Sequence, residues 1–493
     1  MKQIRLIAIK GLWALCLAII ITACSDLAGQ GKIPITSSSE KALEYYYQGL
    51  DMADNLQTQQ ARLLFQKAIE IDPKFAMAHL QLAAVQPTTN EFLESFNNAK
   101  ALINNVSQAE RLWILGYEAA NITGIPKAQL ENFQELANLY PGDERAHYLL
   151  GGYYFGQQDW ESAIAKFKQA AKINPEFSPL YNQMGYALVF TERYDEAEIT
   201  FKKYIELIPQ DPNPYDSYAE LLMKTGRYDE AIEQYKKVLE IKPDFLTSYV
   251  GIATNLNFIG KYEEARKQLQ IMCDLAGDVG QQRLANSAMA YSYIDEGDFD
   301  QGLKQYDKNY AIAEALGDTS LMAGDLALMG FALVEVKGRE MEALDKFNKA
   351  TAMIQASSLA DRTKAINRQG HRYNASRAYV AMGNIEEARK YAAEYRAEAE
   401  AANNQNQIKT VCQLDGLIAS EEGKYDQAIE YFLNSNLQNP WNFFHLAKAY
   451  ERNGDRVNAK KYYEKAAYFN GLNSSPLACI RVQAKERAEA MQD

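Results

Sequence analysis

Proline falls on a lattice in this chain. Pro73, Pro141, Pro175, Pro209 and Pro243 share one 34-residue grid, broken only where Ser107 stands. A fixed period of that length marks stacked helix–turn–helix units and constrains the fold more than any other feature. Proline has no amide hydrogen and biases the residue before it away from helix, so each one punctuates a helix end. One such unit cannot bury its apolar face alone. Stacked neighbours share a continuous core and present a long inner surface. The search for function is directed to that surface rather than to a chemical centre.

The rest of each unit keeps the same register. With proline as position 32, position 8 is Gly49, Gly151 and Gly185. Position 20 is Ala61, Ala163, Ala197, Ala231 and Ala265, and position 24 is Phe65, Phe133, Phe167, Phe201 and Tyr235. Small residues let the two helices of a hairpin approach, and the aromatic ring fills the space beyond them. Seven units starting at 42, 76, 110, 144, 178, 212 and 246 share this register. The pattern resembles the tetratricopeptide repeat (TPR) family. The resemblance implies an all-α, right-handed α-solenoid of about 12 stacked helical hairpins. A regular array is expected over 42–278 and an irregular TPR-like array over 279–475, with a change of twist near 278–325. A C-terminal capping helix is expected over 476–493, its polar face carrying Arg481, Lys485 and Arg487.

The N-terminus bears on location. Lys2, Arg5 and Lys10 precede the apolar run Gly11–Ile21, which is too short to span a bilayer as a stable helix. It ends in Ile21-Thr22-Ala23-Cys24, which resembles the bacterial lipobox. The resemblance implies a lipoprotein signal peptide over 1–23 and acylation of Cys24. Residues 24–41 are polar and rich in serine and glycine, and read as a flexible tether. The expected place is the bacterial cell envelope, with Ser25 compatible with an outer-membrane anchor facing the periplasm. The net charge is −12, and the leader carries cations only, so the remainder is more acidic still. That balance argues against nucleic acid, whose binding rests on phosphate neutralisation. Membrane contact is expected through the lipid alone. Cys273, Cys412 and Cys479 lie far apart and read as small buried side chains rather than a disulfide framework.

No catalytic constellation stands in the sequence: no G-x-S-x-G, no H-E-x-x-H and no phosphate-binding loop. No cofactor, metal or enzymatic activity is expected. In TPR proteins the first helix of each hairpin lines the inner face through positions 2, 5, 9 and 12. Carried onto this chain, those positions give Arg145, Tyr148 and Phe155, then Asn182, Tyr186 and Val189. Next come Asn213, Asp216, Glu220 and Met223, then Thr247, Thr254 and Asn257. Carboxamides can bond the backbone of an extended peptide while rings pack on its side chains. The candidate partner groove is therefore Tyr148, Phe155, Asn182, Tyr186, Asn213, Asp216, Glu220 and Asn257. Asp216 and Glu220, one turn apart, favour a basic ligand. A second basic stripe, Lys364, Arg368, His371 and Arg372, reads either as a dock for an acidic partner or as a solvated face. The expected function is a lipid-anchored scaffold for protein or peptide partners. The alternative is a glycan- or peptidoglycan-binding accessory lipoprotein using tyrosine faces.

Overall fold

A computed structural model describes residues 31–491, apart from 88, 403 and 472–474. The expected leader, Cys24 and the first residues of the tether lie outside the described residues. The structure is 79% helical, with 25 α-helices and no strand among the described residues. The helical solenoid expected from the period is what the chain forms.

Two compact units divide between Tyr218 and Ala219. The first contains hairpins α1–α2 (Glu40–Asp54, Thr58–Ile71), α3–α4 (Ala76–Ala84, Thr89–Ala101) and α5–α6 (Gln108–Glu118, Pro126–Leu139). It continues with α7–α8 (Glu144–Gly156, Trp160–Ile173) and α9–α10 (Pro179–Phe190, Tyr194–Leu207). The division falls within α11 (Asn213–Lys224), which is followed by α12 (Tyr228–Ile241). The second unit holds α13–α14 (Leu246–Phe258, Tyr262–Leu275), α15–α16 (Val279–Glu296, Phe299–Ala315) and α17–α18 (Thr319–Val334, Glu340–Ala356). Then come α19–α20 (Asp361–Ala381, Ile385–Ala401), α21–α22 (Gln405–Glu421, Tyr425–Leu433) and α23–α24 (Pro440–Arg452, Arg456–Ala467). A final helix, α25, spans Ser475–Glu489. From Val279 the helices lengthen, reaching 21 residues in α19 against 14 in α12.

Glycine and ring meet as the spacing requires. A Cβ on Gly49 would stand 2.6 Å from the Phe65 ring, one on Gly151 2.6 Å from Phe167, and one on Gly185 2.5 Å from Phe201. Gly330 against Phe347 and Gly416 against Phe432 repeat the pairing in the longer units, at 2.6 and 3.0 Å. The alanines of position 20 are fully buried beneath these rings. The hairpin turns need a left-handed residue. Gly226 and Gly260 supply it with φ of 78° and 79°, whereas Gln158 and Glu192 are forced into it at 60° and 57°. Glu192→Gly should therefore raise stability, by about 0.5–1 kcal/mol. Unchanged urea unfolding would refute that strain.

A second regularity accompanies the prolines. The ring six residues after each grid proline reaches back to its carbonyl. Tyr181 OH donates to Pro175 O at 2.7 Å, Tyr215 OH to Pro209 O at 3.1 Å and Tyr249 OH to Pro243 O at 3.2 Å. His79 Nε2 and His147 Nε2 take the same place against Pro73 O and Pro141 O, at 3.1 and 3.0 Å. A carbonyl at a helix end lacks an intrahelical partner, and the ring supplies one. These two histidines are thus structural, and burial holds both imidazoles below their ordinary pKa. Tyr181→Phe should cost about 1 kcal/mol; thermal unfolding of that single variant checks it.

The segment read as a flexible tether over 24–41 is held in place where it is described. Ile33 is buried, and its amide donates to Asp143 Oδ2 at 2.9 Å. The Thr36 amide and hydroxyl donate to the two Glu110 oxygens at 2.7 Å each. Ser37 Oγ and the Ser38 amide donate to Asp72 Oδ2, also at 2.7 Å. Lys32 pairs with Glu144. The serine and glycine content hid this, because the partners lie on three later hairpins. Burial pushes the Asp72 carboxyl up, but the hydrogen bonds from Ser37, Ser38 and Lys74 outweigh it and hold the pKa below the usual range. Burial likewise opposes the Lys32 and Asn174 bonds at Glu144, and the bonds prevail. A depressed folded pKa gives stability that is present above the unfolded value and lost as pH falls through the folded one. Asp72→Asn should therefore cost about 1–2 kcal/mol near neutral pH and progressively less at the acid end, as pH falls through the lowered Asp72 pKa. An equal cost at both ends would contradict the assignment.

The last helix is a polar end cap only in part: Lys485 and Arg487 are exposed, but Arg481 is not. Leu477, Ala478, Cys479, Ile480 and Arg481 of α25 are all buried, in contact with α15 and α23. Arg481 Nε donates to Asp295 Oδ1 at 2.8 Å, and its Nη2 reaches Asn257 O at 3.2 Å and Tyr262 OH at 3.1 Å. Just before it, Asn470 Oδ1 accepts from Tyr228 OH at 2.9 Å. The end of the second unit thus returns to its beginning. Arg481 reads as solvent-facing in sequence because its ion-pair partner stands 186 residues upstream.

Candidate functional site

The predicted groove residues fall in both units. In the first, Tyr148 on α7 is not an open wall. Its ring stands edge-on to Phe177 at 5.3 Å and its OH accepts from Gln183 Nε2 at 3.2 Å. Burial, with the Asp54 carboxylate adding to it, pushes its pKa up to about 12. Beside it Arg145, buried on Phe177 at 4.9 Å, forms a two-pronged pair with Asp54 at the end of α1. The α1 end also accepts from Ser178 Oγ at 2.9 Å. The first hairpin therefore covers the inner ends of α7 and α9, which the 34-residue grid alone could not reveal.

The remaining residues of the first unit are half-buried. Phe155 packs on Trp160 and Phe190, with Phe190 40% exposed. Asn182 Oδ1 accepts from Ser217 Oγ at 3.0 Å, tying α9 to α11. Tyr186 stands edge-on to Phe201 at 5.4 Å. Asn213 starts α11, its amide on Asp211 Oδ1 at 2.9 Å and its own Oδ1 facing Tyr204 OH at 3.3 Å. Asp216 lies one turn further on and is half-buried.

In the second unit Glu220 is also half-buried. Asn257 is 8% exposed, accepts from Ser292 Oγ at 2.9 Å, and lies under Arg481. It is a packing residue, not a groove residue. Three of the four residues of the basic stripe of α19 have side-chain partners within the chain. Arg368 bonds Gln355 at 2.6 Å, His371 faces Asn348 at 2.7 Å, and Arg372 bonds Glu394 at 2.9 Å. Cys479 is buried, while Cys273 and Cys412 are half-buried.

Sequence reasoning missed a polar cavity in the second unit, between α17, α19, α21 and α23. A signal was present: Trp441, His445, Lys448 and Arg452 follow one stripe of α23 at helical spacing, so ionisable groups share the face of a buried tryptophan. Among the described residues no group of His, Cys, Asp and Glu could hold a metal, and no helix is long and apolar enough to cross a membrane.

Comparison with known families bears on the repeats. Models described as tetratricopeptide repeat match residues 154–221, 128–176 and 442–471, and one described as TPR repeat matches 219–253. The chain carries tetratricopeptide repeats. No curated protein matches the chain. Among solved structures, residues 41 to the end of MamA from Desulfovibrio magneticus RS-1 align at 16% identity and a TM-score of 0.32, covering 34% of this chain and 96% of that one. The thermophilic TPR protein TTC0263 of Thermus thermophilus aligns at 23% and 0.28, covering 44% and 98%. YrrB, described as a TPR protein with an unusual peptide-binding site, aligns at 19% and 0.29, covering 45% and 96%. A TPR scaffold of this kind is suited to protein–protein interaction.

Proposed function

We propose that this chain is a lipid-anchored TPR scaffold of the bacterial cell envelope, attached through Cys24 and holding protein partners by extended peptide segments. One observation supports the peptide part most. The repeats of the first unit already hold an extended segment, residues 32–39, through carboxylates that accept its backbone amides. A surface that binds its own chain this way has the chemistry to bind another. In the first unit the half-buried residues Asn182, Tyr186, Asn213 and Asp216 remain the candidate contacts, and Glu220 follows Asp216 one turn on along α11. The tyrosine rings of Tyr148 and Tyr186 stand edge-on to neighbouring rings rather than offering flat faces, so a glycan reading gains no support. Anchoring at Cys24 with Ile33 pinned would leave nine residues, a reach of at most about 30 Å.

The test has two parts. A lysine-bearing peptide from a captured partner should bind the full chain more weakly as salt rises, and Asp216→Asn with Glu220→Gln should weaken it at least severalfold. Full affinity in that variant, with binding abolished by neutralising Lys364, Arg368 and Arg372, would move the site to α19. Cys24→Ala should release the chain from membranes; persistent membrane association and lipid labelling would end the anchor assignment.

A further inference from the structure

The cavity between α17, α19, α21 and α23 has a volume of 410 Å³, and its walls carry the cations Lys337, Arg377, Lys448 and Arg452 against the carboxylates Glu335, Glu340 and Glu421. Arg377 is the centre. Its side chain is only 1% exposed, and its guanidinium lies between the rings of Phe331 at 4.3 Å and Trp441 at 4.6 Å. Nη2 bonds Glu335 at 2.9 Å, but Nε and Nη1 have no partner. Rings on its faces leave approach only in the guanidinium plane, where its N–H groups point. The same Glu335 oxygen also accepts from Trp441 Nε1 at 2.7 Å.

Other orphans gather around it. His445 Nε2 and Ser420 Oγ line the cavity, buried and unbonded. Lys448, one turn beyond His445 on α23, rests its ammonium 5.6 Å from the Phe444 ring and forms no ion pair among the described residues. Burial lowers the Lys448 pKa, and burial with the nearby Lys448, Arg377 and Arg452 charges holds His445 well below its ordinary value. A buried charge without a partner costs several kcal/mol, and unbonded buried donors add to that. Of the other carboxylates in the lining, Glu340 accepts from the Gly338 amide and Glu421 lies 3.8 Å from Arg452, so the free Arg377 donors are left without an acceptor.

We infer that this cavity is a binding site for the oxyanion group, carboxylate or phosphate, of a small-molecule ligand, held by Arg377, Ser420 and Lys448 and packed against Trp441. The charge fits, since a carboxylate or phosphate oxygen makes its strongest bonds with guanidinium and ammonium donors. The volume admits a small metabolite and no folded segment. The site is independent of the peptide-binding reading, since none of its residues belongs to that groove.

The chain has only four histidines, so the imidazole resonance of His445 is a resolvable local reporter. The full chain is titrated with inorganic phosphate and with citrate at constant ionic strength, with chloride as the control. At least one oxyanion should move the His445 resonance while His79, His147 and His371 stay still. Lys448→Met should weaken that binding about tenfold or more. Ser420→Ala is the second variant, should Lys448→Met not fold, and should also weaken binding. A response to phosphate alone or to citrate alone identifies which oxyanion the site prefers, and either supports the inference. No shift of His445 with either probe overturns it, as does binding that both variants leave unchanged.

Discussion

Replacing Arg481 by methionine should destabilise the second unit by about 3–5 kcal/mol, because it strands a buried carboxylate. Asp295 is 5% exposed and Arg481 is its ion-pair partner. Burial already pushes the Asp295 carboxyl up, opposed by the Arg481 bonds, so removing those bonds raises it further. The sign follows from the linkage: a carboxyl whose folded pKa is raised destabilises at high pH and is relieved as pH falls through that pKa. The deficit of the single variant should therefore shrink on acidification. Asp295→Leu combined with Arg481→Met should recover most of the loss, since an apolar pair of similar volume is often neutral or better. The measurement is urea unfolding with hydrogen exchange read across α13 to α15. Loss of protection confined to α25, or a single-variant cost under about 1 kcal/mol, would mean that the pair does not close the unit.

Gly185→Ala should cost about 1–3 kcal/mol although alanine is the better helix former. The new methyl would stand 2.5 Å from two carbons of the Phe201 ring, and that ring is fully buried. Gly416→Ala is the control. Its methyl meets Phe432 at 3.0 Å, a gap that a small ring shift can open, so the helix gain should offset most of the clash. Phe201→Leu in the Gly185→Ala background should recover part of the loss if crowding is the cause. Denaturant midpoints for the four proteins decide the matter; equal stability of Gly185→Ala and the parent would remove the close-packing account.

The hairpins were legible because each is specified within 34 residues. Proline, glycine, alanine and phenylalanine act on neighbours one or two helices away, and a period exposes that directly. Gly49 against Phe65 and Ala163 at zero exposure follow from spacing alone. What stayed hidden has no period. Arg145 pairs with Asp54 across 91 residues, and Arg481 with Asp295 across 186. A charged residue reads as solvent-facing unless its partner is known, so Arg145 was placed in the groove and Arg481 on a polar face. Asn257 failed for the same reason, since nothing near it in sequence announces the helix that covers it. The cavity around Arg377 was hidden differently. Its walls come from units beyond Val279, where the 34-residue register no longer predicts which positions face inward.

The return of α25 to α13 and α15 also sets an order in time. Asp295 is made 186 residues before Arg481. At roughly 5–20 residues per second, the early hairpins of the second unit wait about 10–40 s for the residue that completes them. The first unit has no such debt to the end of the chain, since Ile33 and Asp143 both emerge early. A chain that stops short of Leu477 leaves an apolar strip and a carboxylate uncovered on an otherwise formed array. Such a product carries the features that chaperones and proteases recognise.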